Sequence, residues 1–289
     1  MTQRIYIILC MLLMAFGSGA STLKYNIVDT PEDKVFIERS LREANIVSSN
    51  DNLVLTFARK FLGRPYVAHT LEVADPESLV VDTRRLDCTT LVENVTALTL
   101  CSLSGKNTYD DYIEQLASLR YRGGRLDGYV SRLHYFTEWI DDNQKRGWVS
   151  EVQSTKPPFL SVQTIDVWYM GRNQDKYIML QKHPEFVETI RAQESMIKGK
   201  KYRYIPKTAI KDTPEMRNTV FDGDIIAITC NTPGLDIAHL GFAVWKKDGL
   251  HLLNASMKHK KVVEEPMLLH DYLMKHKSFT GIRVVRISK

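Results

Sequence analysis

The chain has 289 residues, of which 44% are hydrophobic and 25% are charged, and its formal net charge is +5. This is an ordinary globular composition, with room for one large domain or one domain that carries an elaborate insertion. The basic residues are scattered, and the densest run, at 258–261, is short. A nucleic-acid binder concentrates basic residues on one stripe beside a recognisable motif, so we expect no nucleic-acid partner.

The first twenty residues have the pattern of a secretory signal. Arg4 supplies a positive start, the segment 5–16 is almost wholly apolar, and small residues follow at 18–20. This apolar run is too short to span a bilayer, and no later segment approaches the ~20 apolar residues of a membrane helix. The sequence therefore predicts a signal peptide at 1–20, no membrane anchor after its removal, and a periplasmic or extracellular protein.

The sequence pattern in the first half of the mature chain predicts helices. Thr30 is placed to cap the first, with Pro31 in its first turn, and Gly63 is placed to end the second. Asp87 precedes a third candidate helix whose apolar residues fall on one face. The predicted helices cover 30–44, 53–62, a segment that begins at 87, 108–119 and 131–144.

The last third predicts short strands separated by turn residues, with a brief helix opened by Pro266. The strands cover 224–230, 239–245, 250–255 and 281–287. Helices followed by strands indicate an α+β fold with an antiparallel sheet. We interpret the mixed segment at about 147–205 as an insertion within a single domain that covers 21–289.

Three cysteines follow the predicted signal, namely Cys88, Cys101 and Cys230. An odd number in an oxidising compartment leaves at least one thiol free or paired between chains. No Cys-x-x-Cys pair is present, which argues against a structural zinc site and a thioredoxin-like motif. The histidines show no His-Glu-x-x-His spacing, so we expect no metal and no other cofactor.

Cys88 lies where a helix is predicted to begin. Asp87 is a plausible cap, although Thr90 with Glu93 offers a competing capping box. In either case the thiol is near the positive end of the helix dipole, which favours the thiolate and lowers the thiol pKa. Unpaired backbone N–H groups there are suited to an oxyanion. The alternative for an isolated cysteine is a small buried hydrophobe, which is also our interpretation of Cys101.

A candidate base lies in the strand-rich part. His239 shares one sheet face with Gly241 and Ala243 because side chains alternate along a strand. A four-residue hairpin loop pairs Gly241 with Asn254, whereas a two-residue loop pairs Ala243 with Asn254. Both registers place Asn254 on the face of His239, within diagonal or longer reach, unless a β-bulge intervenes. A satisfied core histidine is the alternative for His239 alone.

Together, Cys88, His239 and Asn254 supply a nucleophile, a general base and an amide that orients the base. A buried Asn254 would need a partner, because an unpaired amide is costly. Cys230 is a weaker nucleophile candidate, since no base lies near it in the sequence. We therefore predict Cys88, His239 and Asn254 as catalytic residues.

These motifs resemble the NlpC-type papain-like cell-wall hydrolases, and more narrowly their N-acetylmuramoyl-L-alanine amidase-like family. The similarity rests on segments 86–93 and 129–136 and on the strand pair with His239 and Asn254, within about residues 50–288. It implies a papain-like fold and the three catalytic roles given above. The segment 63–66, Gly-Arg-Pro-Tyr, resembles a segment of these hydrolases whose tyrosine borders the active site. Tyr66 matches that tyrosine and is expected to contact the oxyanion. The paired glycines usual after that tyrosine are missing, and Thr-Thr replaces Ser-Gly after Cys88.

The resemblance also suggests substrate contacts beside the catalytic residues. The segment 131–136 is either a helix face that lines the cleft or an ordinary amphipathic helix. Because muropeptides carry carboxylates and sugar rings, we favour Arg132 and Tyr135 as contacts. Asp87 and His134 complete the candidate substrate or oxyanion residues.

The implied reaction cleaves the amide between N-acetylmuramic acid and L-alanine in peptidoglycan fragments, through a thioacyl intermediate and without a cofactor. One alternative is cleavage of the stem peptide after γ-D-glutamate. A second alternative, from a different class, is a wall-binding module that has lost turnover. In each case the implied partner is peptidoglycan or a muropeptide.

Overall fold

The computed structural model describes residues 26–44 and 52–288. The predicted signal peptide lies outside this part of the chain. The helices are α1 (Pro31–Ala44), α2 (Leu53–Arg59), α3 (Cys88–Leu103), α4 (Tyr109–Arg120), α5 (Phe136–Lys145), α6 (Tyr169–Arg172), α7 (Ile178–Lys182), α8 (Phe186–Ile197), α9 (Pro214–Arg217) and α10 (Leu269–Met274). The strands are β1 (Ile27–Val28), β2 (Leu79–Val80), β3 (Val149–Glu151), β4 (Ser161–Thr164), β5 (Lys201–Pro206), β6 (Ile225–Cys230), β7 (Ile237–Lys246), β8 (Gly249–Ser256), β9 (Lys261–Glu264) and β10 (Phe279–Ile287).

One antiparallel sheet organises the fold. Its strands follow the order β4-β5-β10-β6-β7-β8-β9, and β3 also pairs with β10. The short strands β1 and β2 form a separate parallel pair. Helices in the first half and an antiparallel sheet in the second confirm the predicted α+β class.

The two faces of the sheet bury different hydrophobic clusters. Leu240 and Phe242 of β7 face the cluster built with the helices of the first half. Leu252 and Ala243 belong to a second cluster, which includes residues of α10. Alternation along each strand explains this division, because neighbouring side chains point to opposite faces. The helix α3 is buried along most of its length, so it is held firmly beside β7.

Local signals fixed most helix starts correctly. Thr30 and Asp33 exchange hydrogen bonds at the start of α1, as do Thr108 and Asp111 at the start of α4. These reciprocal bonds satisfy N–H groups that have no partner within the helix. The second helix ends at Arg59, before the predicted 62, and a turn leads to Gly63, whose φ is +81°.

The predicted helix at 131–144 is wrong at its start. A 3-10 turn covers Tyr129–Ser131, residues 132–135 are extended, and α5 begins at Phe136. Arg132 forms a β-bridge with Tyr121, and Leu133 donates its N–H to the carbonyl of Arg120. These backbone bonds hold the segment against the end of α4, so it does not continue the helix.

The segment 147–205 contains strands that the sequence analysis did not predict. Strands β3 and β4 lie within it, β5 begins within it, and all three join the main sheet. Between β4 and β5, helices α6, α7 and α8 supply a third hydrophobic cluster, to which Tyr129 and Tyr135 also belong. The segment therefore both extends the sheet and packs against residues that precede α5.

Candidate active site

The helix α3 begins at Cys88, with Asp87 as its N-cap. The Oδ1 atom of Asp87 accepts the N–H of Thr90 at 2.8 Å, and the Thr90 hydroxyl accepts the N–H of Asp87 at 2.9 Å. Of the two capping boxes considered, the one that starts at Asp87 is therefore formed. Glu93 binds Arg120 instead. The thiol of Cys88 is free and half-buried at the first helical position.

Burial dominates the acidity of the Cys88 thiol. It raises the pKa of Cys88 to about 12, and the negative charge of Asp87 acts in the same direction. Hydrogen bonds from the N–H of Leu240, from Thr89 and from the backbone of Cys88 itself oppose this increase but do not overcome it. The predicted lowering of the Cys88 pKa is therefore wrong for the resting site, because desolvation exceeds the effect of the helix terminus.

The hairpin of β7 and β8 brings His239 and Asn254 together. Trp245 pairs with Leu250 and Phe242 with Leu253, so Gly241 lies opposite Asn254, the first of the two predicted registers. The predicted four-residue loop is wrong, because Lys246 also pairs with Gly249 and leaves a loop of two residues. His239 Nε2 is 3.0 Å from Asn254 Oδ1. An amide oxygen only accepts, so Nε2 carries the proton and Nδ1 keeps its lone pair. The amide nitrogen of the fully buried Asn254 faces the carbonyl of Leu252 at 3.5 Å, which agrees with this orientation.

A bulge lies at the start of β7. Ile228 of β6 pairs with His239, whereas Thr229 pairs with Ile237, so Ala238 is an extra residue on β7. Bulges of this kind redirect side chains beside functional sites. Burial lowers the pKa of His239 below its ordinary value of 6.5, and the bond to Asn254 acts against this decrease. His239 is therefore neutral at neutral pH.

Cys88 and His239 line one cavity of about 260 Å³. Its walls are formed by the start of α3, the segment before α5, the residues from α6 to α7, and the segment 235–240. Asn254 lies behind His239 and is bonded to it. The structure thus brings Cys88, His239 and Asn254 into one site, and strand alternation predicted the shared face of His239 and Asn254.

Tyr66 lies beside the start of α3. It forms a parallel β-bridge with Leu86, and its ring is half-buried. Burial raises the pKa of Tyr66, and the nearby Cys88 and Asp87 raise it further, so its hydroxyl remains protonated. Tyr66 therefore lies near Cys88, and its expected contact with the oxyanion stays a prediction. Asp87, in contrast, uses one carboxylate oxygen to cap α3.

The structure separates the three candidates at 132–135. Arg132 is buried away from the cavity lining, where it binds Glu72 at 2.7 Å and lies 3.4 Å from Glu77. Tyr135 lines the cavity, but its hydroxyl donates to Glu194 at 2.7 Å and accepts the N–H of Met170. His134 lines the cavity with one ring nitrogen bonded to the backbone.

Several residues at the site were missed by the sequence analysis. Met170, Tyr177 and Asp236 line the cavity, and the half-buried Tyr272 of α10 lies within electrostatic reach of Cys88. Met170 and Tyr177 lie in the segment that we interpreted as an insertion, and no motif marks them. The position of Asp236 three residues before the predicted base was the one available signal.

Within residues 26–44 and 52–288, no group of three or more His, Cys, Asp or Glu side chains is arranged to hold a metal ion. In the same residues, no helix has the length and apolar character needed to cross a membrane.

Replacing Asp87 with asparagine is expected to lower the pKa of Cys88. The negative charge of Asp87 raises that pKa, and an asparagine side chain still caps a helix. Well below the pKa, each unit of decrease raises the thiolate fraction about tenfold, so alkylation by iodoacetamide at constant pH should become faster. Asp110→Asn, in the first turn of α4, is the control and should leave the rate unchanged. A slower or unchanged rate for Asp87→Asn would contradict the electrostatic assignment.

Comparison with known proteins gives relatives across most of the chain. The sequence model of the N-acetylmuramoyl-L-alanine amidase-like family matches residues 56–282. A crystal structure of an N-acetylmuramoyl-L-alanine amidase from Bacteroides uniformis is 39% identical, with a TM-score of 0.76 over 82% of this chain and 98% of that one. A Bacteroides fragilis protein, provisionally named a xylanase, is also 39% identical, with a TM-score of 0.75 over 81% of this chain and 100% of that one.

A more distant structure shares the fold alone. A Legionella pneumophila protein is 24% identical, with a TM-score of 0.70 over 89% of this chain and 95% of its own. No curated protein matches the sequence. Because the family match covers well over half of the residues, the chain belongs to the N-acetylmuramoyl-L-alanine amidase-like family.

Proposed function

We propose that this protein is an exported cysteine amidase of the NlpC-type, papain-like class that cleaves the bond between N-acetylmuramic acid and L-alanine in peptidoglycan fragments. The observation that carries the proposal is the 3.0 Å bond between His239 and Asn254 beside the cavity that Cys88 lines. Family membership and the 39% identical Bacteroides uniformis amidase support the substrate class. The predicted signal at 1–20 supports export.

The proposed reaction uses a neutral thiol and a neutral imidazole. His239 Nδ1 takes the proton of Cys88 as the sulfur attacks the lactyl carbonyl carbon, and the carbonyl oxygen becomes an oxyanion. Collapse of this intermediate breaks the C–N bond, and His239 gives its proton to the leaving nitrogen of L-alanine. Water, activated by His239, then hydrolyses the thioester and releases the muramyl acid. The acyl-enzyme therefore carries the sugar, and the peptide leaves first.

The raised pKa of Cys88 suits this order of events. A resting thiolate is not required if the proton moves to His239 during attack, and desolvation keeps the sulfur unhydrated. We assign the oxyanion to the backbone N–H groups at the start of α3 and to the hydroxyl of Tyr66. Both lie beside Cys88, and the burial that keeps Tyr66 protonated preserves it as a donor.

Glycoside hydrolysis, which the name of the Bacteroides fragilis relative suggests, fits this cavity poorly. It usually requires two carboxyl groups about 5–9.5 Å apart across the scissile bond. Asp236 is the one carboxylate among the described residues that line the cavity, and its Oδ2 atom accepts the N–H of Thr137 at 2.7 Å. Amide cleavage by a cysteine nucleophile requires a thiol, an imidazole and an orienting amide, which Cys88, His239 and Asn254 supply.

Mass spectrometry of muropeptides treated with the protein tests the proposed bond specificity. Release of free muramyl sugar and a peptide that begins with intact L-alanine is the expected result. Products that contain the L-alanyl-γ-D-glutamyl dipeptide would instead favour the stem-peptide endopeptidase. Fragments that bind but remain uncut would favour a wall-binding module. Either of the last two results would overturn the proposed reaction.

Replacing Asn254 with alanine is expected to reduce kcat about 10²-fold, because the imidazole loses its orientation. The pH profile should also move. His239 must be neutral to act as a base, and the bond to Asn254 raises its pKa. Without that bond the pKa falls further below 6.5, so the acid limb of kcat/KM should shift to lower pH.

A second buried asparagine provides the control. Asn143 is fully buried, and its side chain donates to the carbonyls of Leu119 and Trp139. Asn143→Ala should reduce the thermal stability but leave the position of the acid limb unchanged. An acid limb that moves to higher pH in Asn254→Ala would contradict the assigned hydrogen bond.

A further inference from the structure

The tautomer of His134 is set by its backbone contact. Its Nε2 atom is 3.1 Å from the carbonyl oxygen of Tyr129. A carbonyl oxygen accepts hydrogen bonds and cannot donate them, so Nε2 carries the hydrogen. The Tyr129 ring lies 4.7 Å from the imidazole, which further restricts its rotation. Nδ1 of the neutral ring therefore has a free lone pair.

This lone pair remains accessible. His134 lines the cavity that contains Cys88. Among the described residues no hydrogen bond involves Nδ1, and the atom is not one of the buried polar atoms sealed without a partner. Nδ1 is thus an acceptor without a protein partner, on a half-buried residue of the cavity wall whose other nitrogen is fixed.

The charge of His134 is also fixed over the working pH range. Burial lowers the pKa of His134 to about 3, and the neighbouring Arg132 guanidinium lowers it in the same direction. The ring therefore stays neutral, and Nδ1 does not gain a hydrogen that would make it a second donor. Asp236, the one carboxylate among the described residues that line the cavity, already accepts a backbone N–H at its Oδ2 atom.

We propose that His134 Nδ1 accepts an amide N–H of the substrate that lies on one side of the scissile bond in the Cys88 cavity, and that His134 is a specificity-determining residue. This inference rests on the proposed amidase function and identifies the chemistry that one wall of the site recognises. A substrate group with only hydrogen-bond acceptors at this position would leave the lone pair of Nδ1 unpaired and would bind about tenfold more weakly.

Two amide N–H groups of a muramyl peptide flank the scissile bond and share this chemistry. One belongs to the 2-acetamido group of the sugar, on the acyl side. The other joins L-alanine to D-glutamate, on the leaving side. The cavity of about 260 Å³ is below the usual ~300–1,000 Å³ of a ligand pocket, so it encloses a small part of the substrate near the bond. Either donor fits that requirement.

Binding to a catalytically inactive protein tests the inference separately from turnover. In a Cys88→Ala background, calorimetry would measure the Kd of N-acetylmuramoyl-L-alanyl-D-isoglutamine and of two analogues. The first analogue carries an O-acetyl ester in place of the acetamide, and the second is N-methylated at the peptide amide. We expect one analogue to bind about tenfold more weakly, which identifies the donor that His134 reads.

A substitution at His134 completes the thermodynamic cycle. Adding His134→Phe should weaken binding of the parent compound about tenfold. The parent compound and the weaker-binding analogue should then have similar Kd values. His134→Gln, which offers both a donor and an acceptor, should restore most of the affinity. His251→Phe is the control, since the buried His251 also bonds a backbone carbonyl, that of Glu265 at 2.9 Å. It should leave the preference between the compounds intact.

Two results would overturn the inference. The first is that the folded Cys88→Ala protein, with His134 intact, binds all three compounds equally or binds none of them. The second is a nitrogen-15 NMR spectrum that shows Nδ1, not Nε2, of His134 protonated, assigned by comparison with His134→Gln. The amidase proposal fails on a different observation. It is contradicted if mass spectrometry shows that the wild-type protein leaves the muramyl–alanine bond intact.

Discussion

Cys88→Ala is expected to reduce kcat for amide cleavage by at least ~10⁴-fold, the largest effect on activity that we predict. The substitution removes the atom that forms the thioacyl bond, and no other described thiol lines the cavity. Loss of a nucleophile that acts together with its base typically costs this much or more. Product release measured by mass spectrometry over hours would quantify the decrease. Electrospray mass spectra should show a sugar adduct on wild type and none on the variant.

The other two cysteines are matched controls. Cys101 is buried in α3, where burial raises its pKa, and Cys230 ends β6 away from the cavity lining. Cys101→Ala and Cys230→Ala should therefore alter stability more than kcat. Activity that survives in Cys88→Ala, or disappears in Cys230→Ala while the protein remains folded, would assign the nucleophile elsewhere.

The sequence predicted the parts of the site that depend on local rules. A cap residue before an apolar helix placed Cys88 at the start of α3, and alternation along strands placed His239 and Asn254 on one face. The two registers considered for the hairpin differed by loop length, and both preserved that face. The prediction therefore did not depend on which register the structure adopts.

Long-range contacts account for what the sequence could not predict. Arg132 was favoured as a substrate contact from its type, but Glu72 and Glu77 hold it in a buried ion pair. Those partners lie more than fifty positions earlier in the chain, where no pattern links them. The prediction of a lowered pKa for Cys88 was wrong for a related reason. A helix terminus is visible in the sequence, whereas the desolvation produced by packing against β7 is not.

Glu93→Leu is expected to lower the free energy of unfolding by about 3–5 kcal/mol, the largest effect on stability that we predict. Glu93 of α3 and Arg120 at the end of α4 are each 2% exposed, with 2.7 Å between Arg120 Nε and Glu93 Oε2. Arg120 also donates to the carbonyl of Val80 at 2.6 Å, so it ties β2 to both helices. Removing the carboxylate leaves a buried guanidinium without its counter-charge, which is far more costly than losing an exposed pair. Urea denaturation would measure the change.

The double variant Glu93→Leu/Arg120→Met separates the unpaired charge from the lost packing. Because buried ion pairs contribute little compared with apolar side chains of similar volume, this variant should recover most of the lost stability. Asp166→Leu is the control, since Asp166 pairs with Lys198 at 2.9 Å while both side chains are 62% exposed, and it should change stability by at most about 1 kcal/mol. If the double variant is no more stable than Glu93→Leu, the pair itself stabilises the junction of α3 and α4. In that case the position of Cys88, at the start of the same helix, would depend on an electrostatic contact and not mainly on apolar packing.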